Sequence, residues 1–379
     1  FLYSILFSIL CYPIAGTPFA YHHSLILSLI SLLIFTLAIK TKFNLYWFLL
    51  PIFMLLAFFS MQVPSSYINL IIIIFVVIYF LKYFNKKNLY YFILGCFFSL
   101  LLLILYFVIF KIPLKDFITQ YILFPLTIGG ERYAGGDRAF VSIGSKFTFR
   151  SIVHHFKFIH IFILSLTLMT FLNFFKKTKF VITSDEIIIN SILILSSITF
   201  IFHQLITANQ TYIFSLIPLL AGFVHIYLQK YSFKNRIVQL VVVSLVVFST
   251  VKYHKVYNEN RKFMDLQHVD FSKALDASLI DNKLNKLKWI TPYYPKNPQK
   301  EVNFLKNIIQ TLKNDSRKKM VITHYQFFSL ILEEDLNIPN RWSLYHPNIY
   351  PIKKNKYVKY YKDFFNKNLK SNNVEVIYI

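Results

Sequence analysis

The sequence predicts a mainly α-helical fold, a polytopic transmembrane bundle of about nine segments followed by a small extracytoplasmic α/β domain. Three observations carry that prediction. Of the 379 residues, 56% are hydrophobic and only 15% charged, with a mean hydropathy of +0.50; a soluble core of this size needs far less apolar material. Uncharged apolar stretches recur along the first two thirds of the chain, and lysines gather in alternate connections between them.

The apolar runs fall at about 1–11, 24–39, 45–60, 67–81, 89–110, 158–175, 186–202, 211–229 and 237–251. Several are shorter than the ~17 residues needed to span a bilayer, so flanking Tyr, Phe and Asn must carry their ends. The chain opens Phe-Leu-Tyr inside an apolar run, which predicts that an N-terminal part is missing. Lys40/Lys42, Lys82/Lys86/Lys87, Lys176/Lys177/Lys179 and Lys230/Lys234/Arg236 mark one side, and the turns 61–66 and 203–210 between them carry no charge. By the positive-inside rule the lysine-rich turns are cytoplasmic. Residues 12–23, 61–66, 111–157 and 203–210 are then outside, with everything after about 252.

The division predicted is therefore a membrane module over 1–251 and an extracytoplasmic domain over 252–379. The second part holds 23 basic and 12 acidic residues. Strand-like runs at 287–291, 319–323 and 374–379 alternate with helical stretches near 299–313, 325–335 and 356–369, which predicts a largely parallel sheet. Pro298 followed by Glu301 marks a helix start. The formal net charge of +24 sits on no recognisable nucleic-acid module, so nucleic acid is excluded and anionic lipid or phosphate is favoured. Cys11 and Cys96, far apart in apolar runs, predict neither a disulfide framework nor a zinc site.

The stretch 111–157 is the richest in chemistry. Five of the eight glycines (129, 130, 135, 136 and 144) lie there, and the sequence Gly-Gly-Glu131-Arg132-Tyr-Ala-Gly-Gly-Asp137-Arg138 repeats a glycine pair, an acid and an arginine. Glycine pairs allow positive φ and close approach to a ligand. Arg132 and Arg138 can grip phosphate oxygens in bidentate fashion, with Lys146 and Arg150 behind them. Glu131 and Asp137 are candidate acid–base groups. The competing reading is a pair of tight turns whose carboxylates and guanidinia pair with one another.

His22 and His23 stand at the outer mouth of the run 24–39, as donors for a ligand or as interfacial anchors. Gln62 and Pro64 form one short outer turn, and His203, Gln204, Asn209 and Gln210 form another. Amide and imidazole groups on three separate turns point to a shared cavity on that face. His154 and His155 could bind metal or a sugar hydroxyl, but neighbouring helical residues diverge by about 100° and seldom share one metal, so interfacial anchoring is the favoured reading. In the tail, Trp289, Pro292, His324, Tyr325, Arg341, Trp342 and His346 gather near strand ends. There they either bind a ligand or dock the domain on the membrane module, the second being favoured.

These outer-turn motifs resemble those of polytopic glycosyltransferases of the GT-C superfamily, the protein mannosyltransferase and aminoarabinose-transferase kind. Met61-Gln62-Val63-Pro64 is similar to the family's short Lys-Gly-Pro turn. Asn209-Gln210-Thr211-Tyr212-Ile-Phe-Ser-Leu-Ile-Pro218-Leu-Leu-Ala221 is similar to its later Lys-x-x-Tyr motif, and Tyr21-His22-His23 stands where relatives often have an acid. The resemblance covers roughly 12–229. Both family lysines are replaced, by Gln62 (or Met61) and Asn209, which puts lipid-phosphate contacts at those places in question.

The resemblance implies inverting transfer of a sugar from a polyprenyl-phosphate donor to a glycan, lipid or protein acceptor at the outer face of a bacterial cytoplasmic membrane. It also places the family's catalytic acid in a first outer loop that precedes this sequence. Glu131 and Asp137 are the carboxylates left as catalytic candidates. Arg132, Arg138, Lys146, Arg150, His22, His23, Gln62, Asn209, Gln210 and Tyr212 become donor phosphate and sugar contacts, the cations stabilising the departing phosphate. No metal ligand set and no resident cofactor is assigned, although a divalent metal is compatible with the chemistry. The rivals are an O-antigen ligase or polymerase acting on a diphosphate-linked glycan, and a non-enzymatic transporter or binding protein.

Overall fold

The computed structural model describes residues 1–12, 20–133, 148–172, 182–207, 212–230, 236–259, 266, 268–323, 325–339, 350–351 and 353–379. The described chain is mostly helical, and it divides into two compact units: residues 1–114 with 140–261, and residues 115–139 with 262–379.

The first unit consists of α1 (Leu2–Cys11), α2 (Ala20–Thr41), α3 (Asn44–Ser60), α4 (Gln62–Lys82), α5 (Lys86–Ile109), α8 (Lys157–Leu172), α9 (Ser184–Thr207), α10 (Leu216–Lys230) and α11 (Arg236–His254); α6 and α7 lie in the intervening stretch. Among the described residues, six helical stretches are long and apolar enough to cross a membrane: Ala20–Thr41, Gln62–Lys82, Lys86–Ile109, Ser184–Ile206, Ile213–Lys230 and Arg236–Glu259. Helices α1, α3 and α8 are apolar but shorter. Each falls on an apolar run of the sequence. The charge-free turns are shorter than their sequence implies. Helix α4 already starts at Gln62, with only Met61 and a non-helical Val63 breaking it from α3, and α9 continues through His203 and Gln204 to Thr207. Polar side chains extend these ends by bonding to the backbone: the Ser65 hydroxyl donates to Met61 O (2.5 Å) and the Ser66 hydroxyl to Gln62 O.

Burial in this unit is one-sided. Helix α5 turns most of its apolar length outward and buries Asn88, Gly95 and Ser99. A Cβ on Gly95 would collide with the main-chain carbonyl of Phe48 on α3, so the two backbones touch where only glycine fits. This small-residue contact is how helices associate when water supplies no hydrophobic drive between them. Gly95→Ala is expected to cost about 1–3 kcal/mol by forcing α3 and α5 apart. A thermal melt of the detergent-solubilised chain checks this, and an unchanged midpoint would remove the contact from the stability of the bundle.

At the lysine end of the unit, α9 opens with a capping box. Glu186 N donates to Thr183 Oγ1 (3.3 Å) and Thr183 N donates to Glu186 Oε2 (2.9 Å). The same buried carboxylate accepts from Lys230 Nζ at 2.7 and 2.8 Å and from Lys40 Nζ at 3.1 Å. Further along, Asn190 on α9 donates to Thr170 Oγ1 on α8 (3.0 Å) and accepts from Tyr227 Oη on α10 (2.8 Å). Glu186→Ala is expected to destabilise the unit by about 1–3 kcal/mol, with Glu186→Gln recovering only the cap. Equal melts for wild type and Glu186→Ala would show that the three-helix tie carries no stability.

The second unit combines part of the 111–157 stretch with the tail. Helix α6 (Leu114–Phe117) runs through a π-helical turn, Ile118–Leu123, into α7 (Phe124–Tyr133). Gly129 and Gly130 therefore lie in a helix, not in the tight turn that the paired glycines suggested; the helical path already running from Leu114 needs no new nucleus to continue through them. In the tail, β1 (Leu275–Asp276) pairs antiparallel with β2 (Lys288–Trp289), and β3 (Lys319–Val321) pairs parallel with β4 (Val376–Tyr378). Between them lie α12 (Pro298–Asn314), α13 (Phe328–Leu332) and α14 (Val358–Ser371).

The helical and strand positions follow the sequence pattern, but the described strands form two separate two-stranded sheets, and only one of these is parallel. A single largely parallel sheet is not assembled among the described residues. Pro298 occupies the first turn of α12, with Asn297 accepting from Lys300 N. Helix α13 stops at Glu333, whose φ of 53° is left-handed, so it is shorter than the 325–335 stretch suggested.

The core of this unit gathers Val302, Leu305, Ile309 and Leu312 of α12 with Val321, Phe328, Ile331 and Leu336. Within it Glu301 is fully buried. Its carboxylate accepts from Trp289 Nε1 (3.2 Å), Thr291 Oγ1 (2.8 and 2.9 Å) and Tyr325 Oη (2.8 Å). Burial first, and then the Glu301 carboxylate, hold the Tyr325 phenol well above its usual value, so it remains a donor. Glu301→Ala strands three donors at about 1–3 kcal/mol each. Faster proteolysis of the tail in the full chain is expected, with Glu301→Gln milder; equal cleavage of all three would make the network dispensable.

Candidate functional site

The tie at Glu186 sets the height of the opposite end of the first unit. Lys40 and Tyr21 are 19 residues apart on α2, and Glu186 and Gln204 are 18 apart on α9. At 1.5 Å per residue these spans are about 28 and 27 Å. Antiparallel helices pinned together at one end therefore bring Tyr21 and Gln204 level at the other. Gln204 Nε2 donates to Tyr21 Oη at 2.7 Å, with both side chains buried.

Around that bond a polar cluster closes. The His203 ring stacks on Tyr21 (centroids 5.2 Å apart, planes at 21°), and Tyr67 of α4 meets it edge-on at 6.3 Å. Ser24 of α2 donates to Met61 O at 3.1 Å, joining α2 to the break between α3 and α4. Phenol, imidazole, amide and hydroxyl from three helices thus converge at one end of an otherwise apolar bundle. Gln204 Oε1 has no hydrogen-bond partner among the described residues. A buried amide oxygen in that state is an acceptor held ready for a donor, since burying it unpaired is costly.

Beside this cluster lies an aromatic collar. Phe214 stacks on Tyr253 (3.8 Å, 12°) and on Tyr257 (5.4 Å, 14°), and the His155 ring meets Phe214 edge-on at 5.6 Å. Tyr253 Oη donates to His155 O at 3.3 Å. Burial, reinforced by neighbouring His154, holds the His155 imidazole below its usual value. The ring is therefore neutral near pH 7 and offers one N–H donor and one acceptor nitrogen. His154 is exposed while His155 is half-buried, the divergence expected of adjacent helical residues. Lys252 sits 5.6 Å over Phe158 and 5.8 Å over Tyr253.

The residues singled out from the sequence separate as follows. His22 is buried, with the Cys11 backbone as a hydrogen-bond partner, and His23 is exposed. Gln62 is half-buried at the start of α4, and Arg150 is exposed on a π-helical turn, Arg150–His154. Glu131 and Arg132 lie on α7, and Tyr212 opens a 3-10 turn before α10; their side chains are outside the described residues. Asp137, Arg138, Lys146, Asn209 and Gln210 lie wholly outside them, as do His324, Arg341, Trp342 and His346. Trp289 and Tyr325 do come together, with ring centroids 6.3 Å apart, over Glu301.

Three contributors escaped the sequence reading: Tyr67, Ser24 and Ser65. Tyr67 is the first residue of the apolar run 67–81, about one and a half turns into α4, where a tyrosine is ordinary. Ser24 and Ser65 looked like ordinary helix serines. The available signal was positional, since all three lie within a few residues of the charge-free ends. Among the described residues no group of three His, Cys, Asp or Glu side chains is placed to hold a metal ion.

No protein-family model, curated protein or solved structure matches the chain.

Gln204→Leu removes the donor to Tyr21 and fills the amide site with methyl groups. It is expected to leave the melting temperature within a few degrees of wild type while abolishing any polar-ligand protection at this end. Hydrogen exchange of 200–207 with and without ligand checks it, and unchanged protection would move the ligand elsewhere.

Proposed function

We propose that the chain is a membrane glycosyltransferase of the GT-C kind, transferring a sugar from a polyprenyl-phosphate donor to an acceptor on the extracytoplasmic face. One observation carries the reading. The segments that resemble the family's outer turns, Tyr21-His22 and Met61-Gln62, belong to helix ends that converge with His203 and Gln204 in a buried polar cluster. The opposite end bears Lys40 and Lys230, which supports placing it in the cytoplasm.

In the proposed reaction the acceptor hydroxyl oxygen attacks the anomeric carbon of the donor as the bond from that carbon to the phosphate oxygen breaks. The phosphate leaves with the electron pair, and the hydroxyl proton passes to a carboxylate, with Asp137 and Glu131 as the candidates in this sequence. Negative charge grows on the leaving phosphate, and electrostatic stabilisation of that charge is the dominant catalytic term. Arg132 and Arg138 are assigned to it, with Lys146 and Arg150 in support. Gln204, Tyr21 and His22 supply neutral donors and acceptors for sugar hydroxyls, and the apolar helices provide the lipid-facing wall for the polyprenyl chain.

Membranes expressing the chain should release or transfer radiolabelled sugar from a polyprenyl-phosphate donor. Arg138→Ala should lower that turnover by on the order of a hundredfold or more, with membrane insertion unchanged. Turnover of a diphosphate-linked donor alone would replace this reading with that of a ligase or polymerase. Absence of turnover with either donor would remove the enzyme.

A further inference from the structure

The continuous helix from Leu114 to Tyr133 has two unlike faces. One packs within its own unit: Tyr360 Oη of α14 donates to Asp116 Oδ1 at 2.6 Å, Gln120 Nε2 donates to Tyr360 Oη at 3.1 Å, and Asn355 Nδ2 donates to Thr127 Oγ1 at 2.8 Å. Phe124 meets Tyr361 at 4.8 Å between ring centroids. Burial, and after it the Asp116 carboxylate, push the Tyr360 phenol up to about 12, so it stays protonated and keeps donating.

The other face is an apolar stripe at four-residue spacing. Leu114 is 59% exposed, Ile118 37%, Ile122 36% and Leu126 71%. Such a stripe on a helix already held by its opposite face is the signature of a helix lying in a membrane interface. Its place in the chain points to the same occupant. Residues 110–113 alone separate it from α5, the most apolar of the helices long enough to span. A four-residue connector reaches at most about 14 Å, so along the chain the stripe starts close to the end of α5. Lys111 and Lys115 are exposed at that junction, where anionic headgroups attract basic side chains.

We propose that the helix over 114–126 lies in the interfacial layer of an anionic lipid leaflet, inserting Leu114, Ile118, Ile122 and Leu126, and that its opposite face holds the C-terminal unit at that surface through Tyr360, Tyr361 and Asn355. The tail is thereby anchored twice, through the chain following α11 and through this helix. The anchor does not depend on the glycosyltransferase reading.

The test uses the full chain in lipid nanodiscs with Cys11→Ser and Cys96→Ser. An environment-sensitive fluorophore is placed on Ile122→Cys and, separately, on Ile118→Cys. A nitroxide carried near the lipid headgroup should quench both labels at least roughly twofold more strongly than one near the acyl-chain end, the ordering for a helix lying in the interface. Replacing anionic lipid with phosphatidylcholine, or introducing Lys111→Glu with Lys115→Glu, should weaken that quenching. Four results overturn the proposal: stronger quenching by the acyl-end nitroxide, as from a spanning helix; unquenched blue-shifted emission, as from a stripe covered by protein; unquenched water-like emission; or quenching indifferent to lipid charge.

Discussion

The Glu186 carboxylate accepts from Lys40, Lys230 and the Thr183 amide, so the lysine ends of α2, α9 and α10 are fixed to one point. A buried carboxylate with fewer partners would be strongly destabilising, and the arrangement holds because two lysines and a backbone amide answer it together. Everything at the far end follows from that tie and from the constant rise of an α-helix. Tyr21 and Gln204 meet because the residue counts on α2 and α9 are nearly equal. A one-turn slip of either helix would offer each of them an apolar neighbour instead.

The C-terminal unit meets the same physical demand differently. Glu301 is buried with no cation as partner among its hydrogen bonds, and an indole, a hydroxyl and a phenol satisfy it. Since Trp289 ends β2 and Thr291 follows it, while Tyr325 follows β3, this carboxylate joins two small sheets that do not pair with each other among the described residues. The network thus takes over a role that strand pairing usually fills. Asp315 works at the margin of the same unit, accepting from Arg317 and from Tyr378 at the end of β4.

How much of the site was legible depended on the kind of signal. His22, Gln62, His203 and Gln204 stood out because polar groups without charge are conspicuous at the ends of apolar runs. Tyr67 did not, because a tyrosine near a run's end is ordinary. Glu186 was equally hidden: it opens a helix, where an acid is favourable beside the N-terminal amides in any protein. Only the approach of lysines 146 residues earlier and 44 later made it a tie. The glycine pair at 129–130 misled in the opposite direction, since glycine permits a tight turn without requiring one and a helix already under way needs no new nucleus to pass through it.

By itself the sequence determined where the apolar helices fall, the side on which lysines gather, and the local helix and strand tendencies of the tail. These depend on hydropathy, charge and periodicity, which are properties of contiguous residues. Tertiary structure alone decided which helix ends meet, that the described strands of the tail make two small sheets in place of one, that residues 115–139 belong with it, and which carboxylates are buried. Those outcomes turn on contacts between residues far apart in the chain. A buried acid and an exposed one are written with the same letter, and the partners that make burial tolerable come from other elements.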